Sequence, residues 1–210
     1  MRRSIHSRHT DLRRIYHVPP VSNKASGPGS SDFHWVASAP MTTATTARTT
    51  PPTIADGAEL WRIAHGSGEL DLNSPYSYLL WCRDFADTTS VARDTSGRPI
   101  GFVTGYLRPD APKTLFVWQI AVEGSHRGSG VAGTLLDALT ARVATEHGID
   151  RVEATVTPGN VASDRLFRSY ARRQGADVTR EVLFPSAAFP AAGHDSEVLY
   201  RIGPIGPPAS

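Results

Sequence analysis

The stretch LFVWQIAVEGSHRGSGVAGTLL, residues 115–136, joins a run of strand-forming residues to a helical pattern through a loop rich in glycine. Such a junction can bind a phosphate. Glycines let the backbone approach the ligand, and the first helical turn offers unpaired N–H groups and the positive end of its dipole to an anion. Gly128-Ser129-Gly130-Val131-Ala132-Gly133 fits the dinucleotide fingerprint G-x-G-x-x-G, with Asp150 and Glu153 as loosely placed ribose-binding acids. In that fold, however, the glycines follow the first strand almost at once, whereas here Glu123 to Arg127 intervene and three strands come earlier. No Gly-Lys-Ser/Thr comes after it, which removes the P-loop reading. A glycine-rich connector without a ligand is the plain alternative. Other reactive groups are sparse. The single cysteine, Cys82, sits in an apolar helical pattern and reads as core, and the eight histidines show no metal-ligand spacing. Zinc modules and disulfide scaffolds are therefore excluded.

The elements around this loop alternate in period. Asp56-Gly57-Ala58-Glu59 opens a helix carrying Leu60, Trp61 and Ile63 that should stop at Gly66-Ser67-Gly68, and Tyr76 to Phe85 predicts a second. Thr89–Arg93, the turn Asp94–Gly97 and Ile100–Tyr106 read as a hairpin, and the turn at 108–112 leads into a third strand, Leu115–Val122. Val131, Leu135, Leu136, Leu139 and Val143 recur at helical spacing up to His147-Gly148. Arg151–Thr157 is the next strand, Pro158-Gly159-Asn160 leads into a helix with Ala162, Leu166, Phe167 and Tyr170, and the last strands fall near 178–184 and 197–202. Antiparallel strands followed by a β-α-β-α-β half predict one α+β sheet.

At 210 residues the chain suits one domain plus a tail, and 40% hydrophobic with 20% charged residues describes a soluble globular protein with no run long enough for a membrane span. A net charge of +2 gives no electrostatic case for nucleic acid. The charge is unevenly spread. Residues 1–50 hold seven basic side chains against two acids, leaving fifteen against eighteen in the remainder. That first segment has no apolar periodicity and is read as a disordered extension, with the folded domain at 51–204 and a flexible tail at 205–210. It shows neither a signal-peptide core nor a clear amphipathic targeting helix, and Met41 reads as the natural start, with residues 1–40 arising from an upstream start choice.

Arg127-Gly128-Ser129-Gly130-Val131-Ala132 resembles the R/Q-x-x-G-x-G/A signature of the GNAT acetyltransferases, and the order of elements around it is similar too. The resemblance implies the GNAT α+β fold, a mixed and mainly antiparallel sheet flanked by helices. It implies acetyl-CoA as cosubstrate, with its pyrophosphate on residues 127–132 and its pantetheine arm against exposed backbone around Gln119, Ile120, Ala121 and Val122. Asn160 and Phe167 would complete that site, and no metal is implied. The stretches DGAELWRI, LDLNSPYSYLLWCRDFADTTSVA, GFVTGYLRP, LFVWQIAV, EATVTPGNVASDRLF and GHDSEVLYRIGP narrow the likeness to the diaminobutyrate acetyltransferase subfamily of ectoine biosynthesis. Membership of that subfamily implies a cytoplasmic homodimer, with no nucleic-acid or membrane partner, that acetylates the γ-amine of a small diamino acid. Asp71, Tyr76, Tyr78, Trp118, Glu153, His194 and Glu197 would surround that acceptor, with Asp71, Glu153 and Glu197 as catalytic carboxylates.

The chemistry also stands without the family. An alkyl ammonium has a pKa near ~10.4 and attacks a thioester only when neutral, so deprotonation near pH 7 costs roughly 4 kcal/mol unless desolvation or a base offsets it. Carboxylates hold the cation, one can relay the proton through water, and tyrosine and tryptophan offer cation–π faces. Duller roles compete at each position. Asp71 could be a turn or cap, Trp118 packing, and His194 and Glu197 solvated surface, whereas Glu153 would be costly to bury unpaired. Arg165, Arg168, Arg172 and Arg173 read mostly as a solvated helix face. Counting from Asn160 puts Phe167 where many GNAT enzymes carry an acidic tyrosine; Tyr170 is one turn further on, and the general-acid role stays unassigned. The rival readings are a GNAT enzyme acting on another small amine or a protein N-terminus, and a non-catalytic acyl-CoA-binding regulator.

Overall fold

The computed structural model describes residues 47–68, 70, 72–190 and 193–206. The expected disorder of residues 1–46, the site residue Asp71 and the tail residues 207–210 lie outside the described residues. In chain order the elements are β1 (Arg48–Thr50), α1 (Gly57–Ser67), α2 (Pro75–Asp84), β2 (Thr89–Arg93), β3 (Pro99–Arg108), β4 (Ala111–Val122), α3 (Val131–His147), β5 (Arg151–Val156), α4 (Val161–Gln174), β6 (Asp177–Phe184) and β7 (Glu197–Gly203). The strands form one sheet in the order β1-β2-β3-β4-β5-β7-β6, in which β4 and β5 are parallel and every other pair is antiparallel. This is the α+β arrangement that the sequence predicts.

Two boundaries differ from expectation. The fold begins earlier than residue 51, because Arg48–Thr50 pairs with β2 through Arg93, Ala92 and Val91. Three residues with no apolar alternation carry no strand signal of their own; the neighbouring strand makes them one. At the other end Ile205 belongs to the fold and not to a flexible tail. It is buried in the main core, and its N–H donates to the Asp150 carbonyl at 2.8 Å.

Alternate strand residues serve two helical layers. Val91, Phe102 and Ala121 pack with Leu60, Ile63, Tyr78 and Cys82 of α1 and α2. Ala92, Val103, Val117 and Val152 pack with the apolar stripe of α3, where Val131, Leu135, Leu136, Leu139 and Val143 repeat at the spacing of one helix face. Fully burying each such aliphatic side chain contributes about 1.5–3 kcal/mol. The sheet is held from both sides, and its middle is free to be irregular.

That irregularity makes the site. β4 pairs with β5 only from Thr114 to Val117, opposite Arg151 to Ala154. Beyond Val117, β4 keeps β3 as its partner while β5 continues on β7 alone, so the two parallel strands part. The register between β3 and β4 slips between Thr104 and Gly105, with Thr104 opposite Gln119 and Gly105 opposite Val117, which leaves Trp118 as the bulged residue. Gly105 permits this close approach, since a Cβ there would stand 2.8 Å from the Phe116 carbonyl oxygen.

Candidate active site

A cavity of about 740 Å³ opens where β4 and β5 part, and Val117, Trp118, Gln119 and Ile120 line one wall and Glu153 to Thr157 the other. Asn160, Ser163 and Phe167 of α4 and its cap close one end. His194, Asp195 and Glu197 approach with Phe184 and Phe189 from the segment around β6 and β7. The volume lies in the range of small-molecule sites.

The loop at the head of α3 turns on two glycines and leads straight into the first helical turn. Gly128 and Gly130 both take left-handed backbone angles, φ 76° and 87°, which residues with a Cβ rarely adopt. The N–H groups of His126 and Arg127 close turns onto Glu123 and Gly124, and the next N–H accounted for is Thr134, which donates to Gly130. Between them, the N–H groups of residues 128–133 have no backbone partner among the described residues, at the positive end of a 17-residue helix. Arg127 ties the loop to β4 and α1: Nε donates to the Val122 carbonyl at 3.3 Å and Nη2 to the Ser67 carbonyl at 2.9 Å. Ser129 Oγ donates to the His126 carbonyl. Glu123 anchors the base of the loop between Arg98 and Arg62, whose hydrogen bonds hold its carboxyl at about 2, against the opposing effect of burial. Val131 is buried in the core, so it and the adjacent Ala132 can serve an anion by their backbone.

Glu153 is 3% exposed, yet it is paired. Arg108 Nη1 donates to Oε2 at 2.8 Å and Arg201 Nε to Oε1 at 3.0 Å. The cost of an unpaired buried charge therefore does not arise, and the case for Glu153 rests on its place in the cavity wall. Neither arginine is legible as a partner of Glu153 in the sequence, because Arg108 reads as part of a turn and Arg201 gains its partner only from the Glu153–Arg201 register of β5 and β7; of the two, Arg108 lines the cavity. Tyr106 and Asn73 also line the cavity without a sequence signal. His194 stacks on Phe189, with ring centroids 3.7 Å apart, and its Nδ1 lies 2.7 Å from the Asp195 carbonyl oxygen; a carbonyl only accepts, so Nδ1 carries the hydrogen. Glu197 has no ion-pair partner among the described residues. Trp118, half exposed at the bulge, lines the cavity 6.2 Å from the Trp81 ring.

Several expected site residues lie elsewhere. Tyr78 is fully buried in the α1–α2 layer, edge-on to Phe102, and does not line the cavity; its hydroxyl donates to Gln119 Oε1 at 3.1 Å and so supports a residue that does. Tyr76 is 65% exposed and also outside the lining. Neither placement is legible from spacing, since an aromatic helix face reads alike in a core and in a site. The side chains of Ala121 and Val122 pack into the α1–α2 layer and the main core, so the part expected of these two residues falls to their backbone groups. Asn160 Oδ1 accepts from the Ser163 N–H at 3.0 Å and caps α4 from within the cavity wall. Phe167 forms part of that wall. Tyr170 is in the main core, where burial pushes its phenol up to about 12, and it cannot stand in as an acid at the cleft. Cys82 is buried likewise, its thiol pushed up to about 11, which removes it as a nucleophile. Among the described residues no cluster of three histidines, cysteines or acids could hold a metal ion, and no helix is long and apolar enough to cross a membrane.

Residues 55–171 match the model of the acetyltransferase (GNAT) family. The chain belongs to the GNAT acetyltransferase family. Among GNAT relatives, an L-2,4-diaminobutyric acid acetyltransferase of Streptomyces avermitilis is 62% identical over 154 residues, covering 73% of this chain and 86% of that one. The Virgibacillus pantothenticus enzyme of the same name is 42% identical over 154 residues, covering 73% and 96%. A solved structure of diaminobutyrate acetyltransferase EctA from Paenibacillus lautus, in complex with L-2,4-diaminobutyric acid and coenzyme A, has a TM-score of 0.73 and 38% identity over 79% of this chain and 99% of that one.

Proposed function

We propose that this GNAT enzyme transfers the acetyl group of acetyl-CoA to the γ-amine of L-2,4-diaminobutyrate. The observation that carries the reading is an acid-lined cavity continuous with the gap between β4 and β5, on a chain 62% identical to an enzyme of that name. The residues present fit a pyrophosphate-bearing thioester. The N–H groups of 128–133, without a backbone partner among the described residues, suit its phosphates, and β4 beyond Val117, where β3 is its partner among the described strands, suits an extended amide-bearing arm. When bound, acetyl-CoA supplies the activated acetyl group.

The chain's own residues do the rest. Glu153, fixed by two guanidiniums, holds positive charge on the acceptor. Glu197, with no cation competing for its oxygens among the described residues, and Asp71 receive the proton that the attacking amine must lose, directly or through water. His194, fixed by Phe189 and the Asp195 carbonyl, and Trp118 shape the acceptor's surroundings. Phe167 donates no proton and Tyr170 is out of reach, so departure of a thiolate unassisted from α4 fits the geometry. The enzyme is further read as a cytoplasmic homodimer serving ectoine synthesis and osmoprotection; the exposed Val182 and Phe184 on the edge strand β6 favour a second copy. Thiol release from acetyl-CoA, measured over a panel of small diamines and peptides, tests the acceptor class. Release with peptides and none with diaminobutyrate would replace this reading by protein N-terminal acetylation.

A further inference from the structure

The non-reacting end of the acceptor carries an ammonium and a carboxylate on one carbon, so a site that recognises it needs an anion and a cation side by side. Among the described residues lining the cavity Arg108 is the one permanent cation, and its Nη1 stands 2.8 Å from Glu153 Oε2. The pair lies at the closed end of the cleft. Glu153 is opposite Phe116, where β4 and β5 are still joined, whereas the glycine loop before α3 lies past Val122 at the other end of β4. Arg201 fixes the second oxygen of Glu153 and is itself held by Glu181 at 2.7 Å. The remaining edge of Arg108, Nε and Nη2, meets Asp110 at 3.2 and 2.7 Å. Asp110 is a turn residue whose side chain is 70% exposed, and ion pairs of that kind are weak. A substrate carboxylate can take its place with the same two-point geometry.

We propose that Arg108 and Glu153 form the subsite for the α-carboxylate and α-ammonium of the acceptor, and that anchoring this end at the closed end of the cleft is what presents the γ-amine for acetylation. The inference rests on the diaminobutyrate reading and assigns the position-selectivity of that same site.

Two truncated acceptors separate the contributions: 1,3-diaminopropane lacks the carboxylate and 4-aminobutyrate lacks the α-amine. In the unmodified enzyme kcat/KM for diaminobutyrate should exceed that for each by about a hundredfold or more. Arg108→Gln should narrow the first ratio to within about tenfold, keep the second wide, and give Nα-acetylated product detectable by NMR. Arg108→Lys should restore part of the first ratio, because it returns the charge without the fork. Glu153→Gln should narrow the second ratio instead; if it fails to fold, the Arg108 series decides alone. A ratio cancels general damage to the enzyme. An Arg108→Gln enzyme that loses diaminobutyrate and 1,3-diaminopropane in equal proportion, or that keeps full discrimination and pure Nγ product, overturns the subsite. An unmodified enzyme inactive on diaminobutyrate overturns the acceptor reading itself.

Discussion

Glu197 and Glu153 share a cavity and differ in what surrounds their carboxylates. Glu153 spends both oxygens on guanidiniums, whereas Glu197 opens β7 with no ion pair among the described residues. The first is suited to hold charge and the second to accept a proton. Replacing Glu197 or Asp71 by alanine should therefore lower kcat on diaminobutyrate by about a hundredfold, in the range of a lost general base, with calorimetric affinity for acetyl-CoA unaltered. Full turnover in both variants would move proton removal to another group. At this scale the sequence was only partly legible. Trp118, Glu153, His194 and Glu197 all line the cavity, and Glu153 is paired there and not a bare buried charge. The burial of Tyr78 is not legible, since nothing in its spacing tells a buried hydroxyl aimed at Gln119 from one aimed at a substrate. Arg108 was missed because its partner is 45 residues away, across β4.

The elements were legible because their periods are unambiguous. The aliphatic stripe of α3, its left-handed Gly148 end and the Asn160 cap of α4 all coincide with predicted features. The parting of β4 from β5 was not readable from pattern, because strand register depends on partners distant in sequence. Two expectations belong to the loop those elements support. Gly130→Val forces a β-branched residue into φ 87° at the entrance to α3, and affinity for acetyl-CoA measured by calorimetry should fall at least about tenfold. An unaltered affinity would take the phosphates elsewhere. Glu123 ties the loop to Arg98 and Arg62 with a carboxyl lowered from 4.5 to about 2. A lowered carboxylate contributes stability that is present above its unfolded value and lost as pH falls through the folded one. Glu123→Gln should thus melt lower than the unmodified enzyme by about 2–4 °C at pH 7, and the gap should close as pH falls from 4.5 towards 2. A gap of constant size across that window would show that the pair carries no such linkage.

As a whole molecule the described chain is one sheet with helices on both faces and a cleft at its centre, and its charge is carried unevenly. The remainder of the chain after residue 50 is acidic, fifteen basic against eighteen acidic side chains, which suits a cationic acceptor. Residues 1–40 contribute no apolar pattern to a core, so a chain beginning at Met41 should keep its melting temperature and its turnover. Loss of either beyond experimental error would assign that segment a structural role.

Acceptor choice tests the central claim most directly. Lengthening diaminobutyrate by one methylene to ornithine displaces the reacting amine by more than about an ångström, and misplacement of that size can cost about a hundredfold in rate. Measured by thiol release from acetyl-CoA, kcat/KM for L-2,4-diaminobutyrate should exceed that for ornithine by about a hundredfold, with lysine lower still. Equal values for the three amino acids would contradict an acceptor held at one end of the cavity and acetylated at the other.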